Sequence, residues 1–92
     1  MTTTEFIVPA LPAGVGWADD WQPEGYRVIF TAAHPIDGAD LTVDGWAVQH
    51  ADGPVDEWAV CLPTACELIP AQARALAQKL VAVADLIDRW VE

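Results

Sequence analysis

Cys61, Cys66, His34 and His50 are the side chains in this sequence best suited to chemistry. Two thiols and two imidazoles make up the ligand set of a tetrahedral zinc site. Their spacing argues against one. The cysteines form a C-x4-C pair at the end of an expected strand, and the histidines precede them in separate turn-proximal positions rather than as a paired motif. Cys61 is therefore expected as a small strand residue and Cys66 as a small loop residue, with no metal or cofactor; a Cys/His metal-binding module is kept as a competing reading. A Cys–His pair could also supply a nucleophile and its base, but no local signature surrounds either cysteine and no helix begins at one to stabilise a thiolate. No enzymatic activity is expected. The adjacent acids Asp19-Asp20 and Asp56-Glu57 would point to opposite faces of a strand, which separates them as an acid–base pair. Phosphate-cradling glycine motifs and a calcium loop are absent from the sequence.

A different chemistry, that of surface contact, is suggested by five tryptophans and a lopsided charge. Residues 1–69 hold 11 acids against the single base Arg27, whereas the remaining residues balance Asp85, Asp88 and Glu92 against Arg74, Lys79 and Arg89. The formal net charge of -10 belongs to the first three quarters of the chain. Such a surface repels phosphate backbones and anionic membranes and attracts basic proteins. Trp17 and Trp21, interleaved with Asp19, Asp20 and Glu24, read as an aromatic, acidic partner-binding patch, because Trp supplies a large contact area with a donor at its rim. The alternative is that both rings pin the N-terminal arm to the open face of a sheet. Acidic turns also serve solubility alone.

The elements that must position these residues follow from length and patterning. A chain of 92 residues, 53% hydrophobic and 20% charged, is a globular composition with room for one domain. Residues 1–25 form an arm punctuated by Pro9, Pro12, Gly14, Gly16, Pro23 and Gly25 yet rich in apolar side chains, with a short strand expected at 5–8 and one helical turn at 18–22. Strands are expected at 26–33, 40–50 and 55–62, joined by turns at His34 to Ala39 and Ala51 to Pro54. Gly45 marks a bulge or close approach, near which the polar register is expected to flip. From Pro70 to Val91 the spacing of Leu76, Leu80, Val83, Ile87 and Trp90 predicts an amphipathic helix. Leu86 and Trp90 are candidates for a dimer interface, since one helix leaves a sheet face or edge to be covered.

The segments V-D-G-W-A-V-Q-H-A-D-G from Val43 to Gly53 and P-A-Q-A-R-A-L-A from Pro70 to Ala77 resemble small acidic proteins of unknown function from actinobacteria and their phages. That resemblance covers the C-terminal half and implies a β-meander followed by a helix, without an assigned activity. It makes a phage-type modulator of a host protein an expectation. The fold class expected is α+β, an antiparallel sheet of three or four strands packed on one C-terminal helix. The expected role is a non-enzymatic interaction or regulatory module, homodimeric and cytoplasmic, that binds a protein with a basic surface and neither nucleic acid nor membrane directly. A nucleic-acid mimic occupying the basic site of a DNA-binding protein is the other alternative.

Overall fold

The computed structural model describes residues 9–62 and 67–91. The expected strand at 5–8 and Cys66 lie outside these residues. Five strands precede one helix: β1 (Val15–Ala18), β2 (Tyr26–Thr31), β3 (His34–Pro35), β4 (Thr42–His50), β5 (Val55–Cys61) and α1 (Pro70–Val91). All strand pairs are antiparallel. The long β4 is central, paired with β2 through residues 46–50 and with β5 through residues 44–49. The short β3 pairs with the start of β4, one residue out of step with β2, so β2 and β3 together act as one interrupted strand. At the interruption the Gly45 N–H donates to the Thr31 hydroxyl at 2.9 Å. The protein is thus an α+β domain, a meander backed by a helix.

The alternation along β2 and β4 places Ile29, Val43 and Ala47 against α1, where they meet Val83, Ile87 and Trp90; Ile36 and Val55 complete this buried cluster. Val55 and Val60 are five residues apart and would ordinarily face opposite ways. Both pack on the helix side because the β4–β5 register slips between Ala47 and Val48, where Glu57 takes a left-handed φ of 47°. The bulge therefore lies on β5 at Glu57. At Gly45 no flip occurs: Val43, Gly45 and Ala47 keep to one face, and a Cβ at Gly45 would sit 2.7 Å from Ile87 Cδ1 and 2.9 Å from the Ala59 carbonyl. The absent side chain is what lets α1 approach β4.

The helix starts as Pro70 predicts, its first turn closed by Ala73 N–H donating to the Ile69 carbonyl at 3.0 Å. Gln72 takes the capping-box role. Its Oε1 accepts from the Ile69 N–H at 3.1 Å, while its Nε2 donates to the Gly38 carbonyl at 2.6 Å and fastens the helix start to the β3–β4 turn. At the other end Arg89 lies in the last turn, where a cation complements the dipole. Leu76 and Leu80 are half-buried beside the core.

The arm differs most from expectation. Its strand is β1, which pairs with β2, and Ala18 ends that strand, so no helical turn forms at 18–22. Gly16 lies at an irregularity in this pairing, and a Cβ there would lie 2.6 Å from Ala32 Cα. Residues 9–14 cross the helix side of the sheet, so that no described segment covers its other face, called the open face below. Three side-chain donors clip them there: Arg27 Nη2 to the Pro9 carbonyl at 3.1 Å, Gln49 Nε2 to Ala10 at 2.9 Å and Trp90 Nε1 to Ala13 at 2.9 Å.

Candidate functional site

With α1 and residues 9–14 on one side of the sheet, the site is built on the other. Trp17, Phe30, Trp46 and Ala59 stand opposite one another across β1, β2, β4 and β5. At about 4.8 Å between strands, the three rings form a row spanning roughly 10 Å. Trp17 leans on Phe30 with ring centroids 5.0 Å apart and tilted 38°, and remains 59% exposed. Phe30 and Trp46 are half-buried.

The neighbouring rows of the same face carry acids. On one side Val28 and Val48 lie between Asp19 and Asp56: the Asp19 N–H donates to the Val28 carbonyl at 2.9 Å, and Asp56 pairs with Val48. On the other side Asp44 pairs with Cys61. An apolar aromatic strip is thereby bracketed by three carboxylates. Among the described residues the lysine and arginine side chains lie elsewhere. Arg27 shares the helix side with Ile29, donates through Nε to Gln49 Oε1 at 2.7 Å and stacks 4.3 Å over the ring of Trp21; Arg74, Lys79 and Arg89 belong to α1.

One further ionisable pair borders the strip. His50, opposite Tyr26, reaches Asp56 Oδ1 with Nε2 at 2.8 Å. The hydrogen bond to Asp56 raises the imidazole pKa above its ordinary 6.5 against a slight desolvation, and the charges of Asp56, Asp52 and Glu57 add to the rise. The Cys61 thiol is also pushed up, by what burial it has and then by the charge and hydrogen bond of Asp44. A raised thiol pKa lowers the share of thiolate, the nucleophilic form.

The residues singled out in the sequence are dispersed. Trp17 and Asp19 belong to the open face, whereas Trp21 is half-buried beneath the Arg27 guanidinium, and Asp20 and Glu24 are exposed in the β1–β2 connection. The five do not form one patch. The dimer-interface expectation for Trp90 is corrected by its place in the core, where it is 6% exposed with its indole N–H spent on Ala13. Leu86 is half-buried beside Gly14, whose φ of +90° and missing side chain admit it. Phe30, Trp46, Asp44 and Asp56 are the site residues that sequence reasoning did not select. Their signal was the period-two alternation of β2 and β4, which placed Phe30 and Trp46 on regular faces without saying which face α1 would leave open.

The described members of the competing thiol–imidazole set, His34, His50 and Cys61, are likewise scattered. His34 pairs with Val43 and shares its face, while Cys61 pairs with Asp44 on the opposite one, and His50 ends β4 six or more residues farther along. Among the described residues no three His, Cys, Asp or Glu side chains are placed to hold a metal ion. No helix among them is long and apolar enough to cross a membrane.

The class defined by this geometry is a small α+β domain whose sheet is backed by one helix and, among the described residues, uncovered on its other face. Comparison with protein-family models, curated proteins and solved structures finds no match to the chain.

Proposed function

We propose that this protein is a non-enzymatic interaction module that docks the open face of its sheet on a basic surface of another protein. The observation that carries this reading is the Trp17–Phe30–Trp46 row bracketed by Asp19, Asp44 and Asp56. Aromatic rings supply desolvated contact area at an interface, and a carboxylate rim steers and orients a partner of opposite charge. The net charge of -10 disfavours burying this face against a second copy of itself, since like carboxylates would be brought together. It equally disfavours nucleic acid as a direct ligand.

The test is an NMR titration of the labelled protein with a short peptide in which Arg, Lys and Gly are interspersed, at about 150 mM salt. The reading expects saturable shifts at the indole N–H groups of Trp17 and Trp46 and at the amides of β2 and β4, with the exposed acids of the turns little changed. Shifts confined to Asp20, Glu24 and the turns would identify mere charge attraction and overturn it. So would an open face already covered by a second copy, seen as a dimeric mass that Trp17→Glu converts to monomer.

A further inference from the structure

The partner's chemistry can be narrowed beyond positive charge. Three features of the open face bear on it: three rings in one row, with Trp17 and Phe30 in contact at 5.0 Å between centroids; carboxylates one row away on both sides; and, among the described residues, no lysine or arginine of the chain's own on that face, where the one basic group is the His50 imidazole held on Asp56. A bare acidic rim would take Lys and Arg alike. The aromatic row separates them. An ammonium is a compact, strongly hydrated point charge, whereas a guanidinium is planar and weakly hydrated, so it can lie flat on a ring while its edge donates to a carboxylate. The chain shows this geometry once on its other side, where Arg27 lies 4.3 Å over Trp21 while its Nε donates to Gln49.

We infer that the open face selects arginine: its partner is a protein segment whose Arg side chains lie on the Trp17–Phe30–Trp46 row and donate to Asp19, Asp44 or Asp56. This rests on the docking function proposed above and adds the specificity of the same site. Trp17, the most exposed ring of the row, is the principal platform. Trp46 and Phe30 continue it toward β5, with Asp44 and Asp56 within one row of both rings.

The test compares two peptides of equal length and charge, one alternating Arg with Gly and one alternating Lys with Gly, titrated by calorimetry into the intact protein at about 150 mM salt. The Arg peptide is expected to bind roughly 3- to 10-fold more tightly, the fold-change of a cation–π contact of about 0.7 to 1.4 kcal/mol. Trp17→Leu should bring the two affinities together while leaving the far-ultraviolet circular dichroism unchanged, because the ring is largely exposed. Equal affinities for the unaltered protein, with shifts at the Trp17 and Trp46 indoles, would overturn the arginine preference and leave the docking face standing. Absence of binding by either peptide would overturn both. A preference for Arg that persists in Trp17→Leu and also in Trp46→Leu would place the selection elsewhere and overturn the assignment to this row. The unaltered protein carries the first comparison, so a variant that fails to fold does not remove the test.

Discussion

At the scale of single residues, the acids of the proposed docking face and the residues packed in the core place different demands on the fold. Asp19 and Asp20 make no ion pair among the described residues. Exchanging both for Asn is expected to change unfolding free energy by no more than about 0.5 kcal/mol, as for other exposed polar sites, while weakening capture of a basic peptide. Chemical denaturation of the double variant checks this, and wholesale unfolding would show that the acids serve the fold. Gly45 is the opposite case. Its Cα faces Ile87 and Val83 with no room for a Cβ, so Gly45→Ala should cost about 1 to 3 kcal/mol through overpacking, read from the same denaturation curves. His50 contributes one pH dependence. Its pKa is raised in the folded protein above 6.5, so the stability it contributes is present in full below pH 6.5 and is lost as pH rises through the folded value. An NMR titration of the imidazole should therefore give a midpoint above 6.5, and Asp56→Asn should lower it, since the Asp56 hydrogen bond is the largest cause.

At the scale of elements, the helix is held by its middle and its ends by different means. Ile87 and Val83 are buried against Gly45 and the rest of the core, whereas Leu80 is half-buried. Ile87→Ala should cost about 2 to 5 kcal/mol and Leu80→Ala distinctly less, a ranking that differs from helical periodicity alone, which treats the two positions as equivalent. The segment 9–14 depends on directed bonds. Arg27, Gln49 and Trp90 each donate to one of its carbonyls, so replacing Arg27 and Gln49 together with Met should leave the sheet and helix folded but speed thermolysin cleavage at the Ala10–Leu11 bond. Unchanged protection of that bond would mean that the apolar contacts of the segment, not its hydrogen bonds, hold it.

At the scale of the whole molecule, charge is the governing quantity. The net -10 is not offset by a network of pairs: among the described residues the single salt bridge is His50 to Asp56. Repulsion within one small domain is screened as the Debye length falls from about 30 Å at 0.01 M to about 8 Å at 0.15 M salt. The melting temperature is therefore expected to rise over that range, by a few degrees for each kcal/mol recovered. A fall would show that attraction, rather than repulsion, dominates the field. Added salt should have the reverse effect on peptide binding, weakening a complex made between opposite charges.

What the sequence by itself determined is the set of local decisions. Pro70 and the apolar spacing from Leu76 to Trp90 specify the helix, the alternating runs specify β2, β4 and β5, and Gly38 and Gly53 mark turns whose positive φ they supply. These are short-range preferences of backbone and side chain, and each is written within a few residues. The position of β1 was hidden by Gly16, which reads as a loop residue until Ala32 is seen pressed against it. The bulge at Glu57 carried no recognisable signal either, because a left-handed φ at a glutamate is imposed by packing Val55 and Val60 on the same side. Only the tertiary structure decided where the aromatic residues go. Trp21, Trp46 and Trp90 look alike in sequence, yet one lies beneath an arginine, one on the open face and one in the core. That partition depends on which face α1 and residues 9–14 cover, and this is set by contacts between segments far apart in the chain.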